Sequence, residues 1–154
     1  MAELTIQDIS NHMKKIDICM MTTRNSQDML ESRPMSNNKD VEYQGESFFF
    51  TLDSTPMVRD LKAHPQVCLV YEAYRHLSLS AHHLYICVSG EAELMKDRHT
   101  MERHWKPELD KWFDKGIDTP GLTLIQVNAK HLKYWDGMDH GEVILAESAR
   151  RLAS

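Results

Sequence analysis

The distribution of apolar residues predicts an N-terminal helix followed mostly by strands. Within 5–15, apolar side chains recur at helical spacing, and Thr5 with Asp8 has the form of a capping box. Later segments are short, apolar or alternating, and bounded by polar turns, as is typical of strands. These segments predict strands at 16–23, 29–35, 41–52 or 47–52, 66–74, 85–95, 122–127 and 133–135.

The clearest local signal is a helix start at 53–56. Ser54 or Thr55 can accept from backbone N–H groups as the N-cap, and Pro56 suits the first turn of a helix over 57–63. The rest of the chain is predicted as helices at 97–105 and 107–113, connections at 75–83 and 114–121, and an amphipathic tail from 141.

Gly90 interrupts the longest predicted strand. A residue without Cβ inside a strand predicts a bulge that bends it, which the closing of a small barrel requires. Strands outnumber helices and do not alternate with them regularly, so the pattern favours a mainly β barrel or sandwich with helices. The length of 154 residues predicts one domain over 1–154.

Composition excludes several classes of function. The net charge of −5 argues against a general nucleic-acid binder, whose affinity comes mainly from neutralising phosphates. No apolar run approaches the roughly 20 residues of a membrane helix. Residues 1–4 show no basic region leading into an apolar one, which argues against a secretory signal.

The cysteines and histidines predict neither a metal site nor a redox pair. Cys19, Cys68 and Cys87 are odd in number, far apart and without CxxC spacing, so we expect three reduced, buried thiols in a cytoplasmic protein. The nine histidines include no pair with i, i+4 ligand spacing, and the adjacent His82 and His83 point to opposite faces of any strand.

The block 32–61 gathers groups that suit a phosphate. Arg33-Pro34-Met35 closes one predicted strand, Phe48 to Thr51 closes the next, and a helix start follows at once. An arginine, hydroxyls, backbone N–H groups and a helix N-terminus all favour an anion. The alternative for Arg33 is a strand-edge ion pair with Glu31.

Two further landmarks follow in order, Val88-Ser89-Gly90-Glu91-Ala92 and Tyr134-Trp135-Asp136-Gly137. Together with the earlier block, they make residues 16–137 resemble the pyridoxamine-phosphate-oxidase-like FMN-binding split barrels, and within them the general stress protein 26 group. The resemblance implies a six-stranded antiparallel split β-barrel. It also implies a homodimer with flavin, FMN or FAD, in two clefts between the subunits.

The resemblance also assigns cofactor-binding residues. One subunit supplies the residues around the phosphate and ring, which are Arg33, Pro34, Met35, Phe50, Thr51, Ser54, Thr55 and Met57. Tyr85 and Trp135 come from the partner, Ser89 is a further candidate, and a cross-strand aromatic pair is the alternative for Tyr85. Met57 stands where the family has a lysine and Pro56 where it has an arginine, so FMN binding is expected to be weak, shifted towards FAD, or lost.

The function implied is a flavin-binding protein of the stress-response type with weak redox activity. In true pyridoxamine-phosphate oxidases an Arg-x-His motif binds the substrate phosphate. The corresponding positions here are Gly141-Glu142-Val143, which argues against oxidation of pyridoxamine phosphate. No residue is identified as catalytic. The alternatives are a flavin-free, non-catalytic binding module on the same fold and, third, a haem- or F420-binding relative.

Overall fold

The computed structural model describes residues 3–37, 42–77 and 80–145. Its helices are α1 (Ile6–Met13), α2 (Pro56–Ala63) and α3 (Arg98–His104), with short 3-10 helices at Pro107–Lys111 and Gly116–Asp118. Its strands are β1 (Ile18–Arg24), β2 (Leu30–Ser36), β3 (Glu46–Leu52), β4 (Gln66–Leu77), β5 (Ser80–Met95), β6 (Leu122–Asp136) and β7 (Asp139–Val143).

Two helix starts have the side-chain caps that their sequences predict. Thr5 accepts from the Asp8 backbone N–H, while the Asp8 carboxylate accepts from the Thr5 N–H at 2.8 Å. Asp97 accepts from the backbone N–H of Thr100 at 3.0 Å and so begins α3. No helix in the described part of the chain is long and apolar enough to cross a membrane.

All strands belong to one antiparallel sheet with the order β2-β1-β4-β5-β6-β3, and β7 pairs with β6. The mainly β architecture is therefore confirmed, but the described residues form seven strands rather than six. The seventh strand comes from the segment predicted as an amphipathic tail. Gly137, with φ of +62°, allows a tight turn after β6, so 139–143 folds back as a hairpin.

Two other sequence predictions need correction. The segment 75–83, predicted as a loop, instead continues β4 to Leu77 and begins β5 at Ser80. The predicted strands 122–127 and 133–135 are one strand, β6. The polar residues between them stay in the sheet because Lys130 and His131 expose their side chains while the backbone remains paired with β5.

The sheet buries one face around a large core. This core joins α1, α2 and the inward residues of most strands, and its fully enclosed members include Ile9, Met21, Phe49, Leu69, Tyr71, Leu84, Ile86, Val88, Ile125 and Leu132. A smaller cluster lies on the other face of β3, where Met101 of α3 packs with Leu122 and Leu124. The N-terminal and α3 helices thus cover different faces.

The predicted bulge is present at Gly90. The pairing of β5 with β6 shifts register between Ser89 and Gly90. A Cβ atom built on Gly90 would lie 2.3 Å from the carbonyl oxygen of Asn128, far inside van der Waals contact. Only glycine fits here, because the obstructing atom belongs to the backbone and has little freedom to move.

Replacing Gly90 by alanine should therefore destabilise the whole sheet. We expect the free energy of unfolding in urea to fall by roughly 1–3 kcal/mol, the usual cost of forcing a group into a packed site. The neighbouring Ser89→Ala should change it by less than about 0.5 kcal/mol, because Ser89 is exposed. Equal stability of Gly90→Ala and wild type would show that β5 and β6 can separate at the bulge.

Candidate functional site

Arg33 is held at the open edge strand β2, opposite Met21 of β1. Its Nη1 donates to the Thr23 hydroxyl at 2.6 Å and to the Met21 carbonyl at 3.3 Å, while Nη2 lies 3.7 Å from a Glu31 oxygen. Burial lowers the pKa of Arg33, and the carboxylates of Glu31 and Asp60 oppose that shift. The guanidinium is half-buried and already donates to two neutral acceptors, and the Glu31 carboxylate partly offsets its charge within the chain.

The start of α2 lacks the side-chain cap that was predicted. Thr55 is the N-cap residue, but its hydroxyl donates to the Leu52 carbonyl at 2.9 Å instead of accepting from the helix. The neighbouring Ser54 is exposed. Pro56 has no N–H, and the Val58 N–H donates to the Thr55 carbonyl at 3.2 Å, so the first turn leaves the Met57 N–H for water or an anion. α2 itself packs against β1, the strand whose Thr23 hydroxyl and Met21 carbonyl accept the hydrogen bonds of Arg33.

Three other predicted site residues lie deeper. Met57 is buried in the main core, with Met35 in the same cluster. Thr51 is half-buried on β3, where it pairs with Thr123 of β6. Phe50 packs its ring edge-on against Trp105, with centroids 4.9 Å apart, in the small cluster beneath α3. Their roles in cofactor binding remain predictions.

Tyr85 and Trp135 stand opposite each other on β5 and β6, on the outer face of the sheet. They are 41% and 46% exposed, and the Tyr85 hydroxyl donates to Glu72 at 3.1 Å. Tyr85 therefore has an aromatic residue, Trp135, opposite it on the next strand, as in the alternative given for Tyr85 in the sequence analysis. Ile18 and Met20 of β1 are also exposed, so this face carries more apolar surface than a solvated sheet needs.

The predicted residues Arg33 and Trp135 lie on opposite faces of the sheet. Arg33 and Met35 pair with the inward residues Met21 and Cys19 of β1, whereas Trp135 alternates with buried neighbours and points outward. Pro34 and Ser89 are exposed as well. A single copy of the chain therefore does not bring the arginine and the indole to one site.

A buried ionic cluster beside Trp135 was missed by the sequence reasoning. Asp136 is buried, and its two carboxylate oxygens contact Arg75 of β4 and, at 2.5 Å, the Nε2 of His82 on β5. It thereby ties three strands together next to the Tyr85 and Trp135 row. The alternation of side chains along a strand could have predicted this cluster. If Trp135 points outward, Asp136 must point inward, and a buried aspartate requires polar or charged partners.

No group of three or more histidine, cysteine or acidic side chains in the described ranges is arranged to hold a metal ion. His82 and His83 do point to opposite faces, as predicted. His83 lies on the outer face, with Nδ1 2.6 Å from a Glu72 oxygen and its ring near Tyr74 and Tyr85. A carboxylate on Nδ1 fixes the ring and leaves Nε2 for another partner.

The prediction of three buried thiols is wrong for two of them. Cys19 is buried, but Cys68 and Cys87 are half-buried on the outer face, and their sulfur atoms lie 3.3 Å apart. The apolar runs around both cysteines concealed this, because their outward positions are as apolar as their inward ones.

Comparison with known proteins gives a family and several structural neighbours. The family model described as "Pyridoxamine 5'-phosphate oxidase like" matches residues 5–151. A protein related to general stress protein 26, from Clostridium acetobutylicum, superposes with a TM-score of 0.75 at 19% identity over 92% of this chain and 94% of that one. No curated protein sequence matches this chain.

Two further solved structures share the fold. A general stress FMN/FAD binding protein from Xanthomonas citri gives a TM-score of 0.70 at 21% identity, over 86% of this chain and 89% of that one. A heme binding protein from Mycobacterium smegmatis gives 0.73 at 10% identity, over 96% of this chain and 61% of that one. At these identities the structural matches establish the fold alone.

Substituting Asp136 by asparagine should destabilise the sheet beside the aromatic row. Removing one partner of a buried ion pair costs roughly 3–5 kcal/mol, and we expect the lower end because Arg75 retains some access to water. Chemical denaturation measures the effect. The matched control is Asp139→Asn, an exposed aspartate in the same hairpin, which should be near neutral. Equal effects of the two substitutions would contradict a structural role for the cluster.

Proposed function

The chain belongs to the pyridoxamine 5'-phosphate oxidase-like family, and from that premise we propose that it is a flavin-binding, stress-response-type protein that acts as a homodimer. The observation that carries the proposal is the exposed aromatic row of Tyr85 and Trp135 on the outer face. A relative with the same fold is named as an FMN/FAD binding protein, which supports the ligand class.

The division of the candidate residues between two faces supports a shared site. Arg33 and the start of α2 offer a guanidinium, the exposed hydroxyl of Ser54 and the backbone N–H of Met57, which suit a phosphate. Tyr85 and Trp135 offer flat apolar surface, which suits an isoalloxazine ring. Because one subunit cannot bring these sets together, we place the flavin between the arginine edge of one subunit and the aromatic row of its partner.

The exposed apolar residues of the outer face support a second copy as the partner. Ile18 and Met20 lie on β1, and Tyr85 and Trp135 lie on the strands beyond β4 in the same sheet, so all four share this face. Burying this patch in a dimer would remove apolar surface from water, which is the main driving force for association. The polar cofactor groups would then line the edge of the contact.

The charges at the arginine edge predict weak FMN binding. Arg33 is paired with Glu31 and lies in the field of the Asp60 carboxylate, and the family's lysine position holds the buried Met57. Each missing charge-assisted hydrogen bond weakens binding by roughly 1.5–3 kcal/mol, or about ten- to hundredfold. FAD, whose phosphates are less charged, is the better candidate for tight binding.

Oxidation of pyridoxamine phosphate is not part of the proposal. Gly141, Glu142 and Val143 lie in β7, paired with β6, and none of them offers a cation for a substrate phosphate. A bound flavin would itself supply the electron-transfer chemistry. The residues of this chain would bind it, orient its ring and shield it from water, and no side chain is assigned as a general base.

The flavin site is tested by titrating the purified protein with FMN and with FAD and following fluorescence quenching. We expect saturable binding at micromolar concentration and a dimer by light scattering. Trp135→Ala should weaken binding roughly two- to tenfold, since ring contacts contribute about 0.5–1.5 kcal/mol. Trp112→Ala is the matched control, because Trp112 is also exposed but lies outside the β5 and β6 row.

Two outcomes would favour other functions. Absence of binding of either flavin at micromolar concentration would support the flavin-free binding module on the same fold. A haem spectrum that appears with added haem, without flavin binding, would support a haem-binding protein. That candidate rests on the fixed ring of His83 in an aromatic patch and on the fold shared with a protein named for heme binding.

Replacing Met57 by lysine should restore a cation for the phosphate and tighten FMN binding by roughly ten- to hundredfold. The buried position requires the lysine stem to stay in the core while the ammonium reaches the start of α2. Unfolding should therefore be measured in parallel with FMN affinity. Met57→Leu is the control and should leave affinity unchanged. A folded Met57→Lys variant with unchanged affinity would place the phosphate elsewhere.

A further inference from the structure

Two cysteines lie side by side on the outer face, although 19 positions separate them in the sequence. In the pairing of β4 with β5, Cys68 is opposite Ser89 and Cys87 is opposite Val70, so the two cysteines are diagonal neighbours. Their sulfur atoms are 3.3 Å apart. Both side chains are half-buried, so they retain access to small solutes.

The two cysteines are free, but their sulfur atoms lie close to the positions that a disulfide bond would require. Diagonal positions in an antiparallel pair have Cα atoms about 7–8 Å apart, just beyond the usual range for a disulfide. The two sulfur atoms are nevertheless in contact, at 3.3 Å. Bond formation at about 2.05 Å then requires a local adjustment rather than a rearrangement of the sheet.

Cys19 provides the contrast within the same molecule. It lies in the main core beside Tyr71, only 1% exposed, and burial raises the pKa of its thiol to about 12. A thiol of this kind packs as a small apolar group and is chemically inert. The outer pair differs from it both in exposure and in having a second sulfur within reach.

We propose that Cys68 and Cys87 form an oxidisable dithiol site that a hydroperoxide closes to a reversible intrachain disulfide. This inference does not depend on flavin binding. Hydrogen peroxide, close to water in size, is the simplest oxidant of this class.

The reaction balances in two steps. The Cys87 sulfur attacks one peroxide oxygen, the O–O bond breaks, and a sulfenic acid and one water result. The Cys68 sulfur then attacks the Cys87 sulfur, the S–O bond breaks, and a second water leaves as the disulfide forms. Two thiols lose two hydrogens and two electrons, and one peroxide is reduced to two waters.

The surroundings assign the first attack to Cys87. Burial, together with the neighbouring Cys87, raises the pKa of Cys68 to about 12, so Cys68 is the poorer first nucleophile. Once Cys87 is a neutral sulfenic acid, its charge no longer opposes the Cys68 thiolate that makes the second attack. Lys133 occupies the position opposite Cys87 on β6 and on the same face. A cation there favours the negative charge that sulfur carries during attack.

The test uses the full-length protein, reduced, freed of reductant and treated with hydrogen peroxide. We expect the thiols counted in denaturant to fall from three to one, with a mass loss of two hydrogen atoms, and dithiothreitol to reverse both changes. Trypsin cleaves after Arg75, which separates Cys68 from Cys87, so the unreduced digest should contain the two peptides linked. Cys19 should remain free.

Variants separate the two steps. Cys68→Ser should form no disulfide but should accumulate a sulfenic acid on Cys87, trapped by dimedone. Cys87→Ser should give neither product, and Cys19→Ala is the matched control that should still close the disulfide. Three intact thiols after peroxide, modification of Cys19 as fast as the outer pair, or disulfides only between chains would overturn the proposal. Circular dichroism of each variant verifies that the fold is retained.

Discussion

The close approach of Gly90 to the carbonyl of Asn128 is the constraint on which the rest of the structure depends. It lets β5 and β6 bend together while they stay paired over most of their length. A straight pair of this length could not curve around the core formed by Tyr71, Leu84 and Ile86. The same bend turns the other face of both strands outward, and that face carries the aromatic row and the thiol pair.

Strand alternation then separates the candidate residues by face. Arg33 belongs to the inner face because it pairs with Met21, and Trp135 belongs to the outer face because its neighbours Tyr134 and Asp136 are buried. No change of side-chain rotamer moves a residue through a sheet. A site that uses both residues therefore requires two copies of the sheet, and dimerisation becomes a geometric condition for the proposed function.

The sequence predicted those features that depend on local chemistry. The capping box at Thr5, the bulge at Gly90 and the start of α3 follow from short-range rules, and the family was visible in four ordered landmarks. The features that were missed depend on partners distant in the chain. β7 forms because β6 offers an edge, and the Asp136 cluster joins side chains 54 and 61 positions apart. The contact of Cys68 with Cys87 likewise depends on register, which composition does not reveal.

The two faces differ in how firmly the fold holds them. Asp136 points inward and binds β4, β5 and β6 together directly behind Trp135, so the strands that carry the aromatic row are tied to one another whether or not a ligand is bound. At the inner edge, Arg33 is compensated by Glu31 and Asp60, and Met57 contributes no charge. A rigid ring surface costs little entropy to use, whereas a neutralised phosphate site contributes little attraction. It follows that electrostatics at the start of α2, rather than the shape of the barrel, decides between a flavin-binding protein and a flavin-free module on this fold.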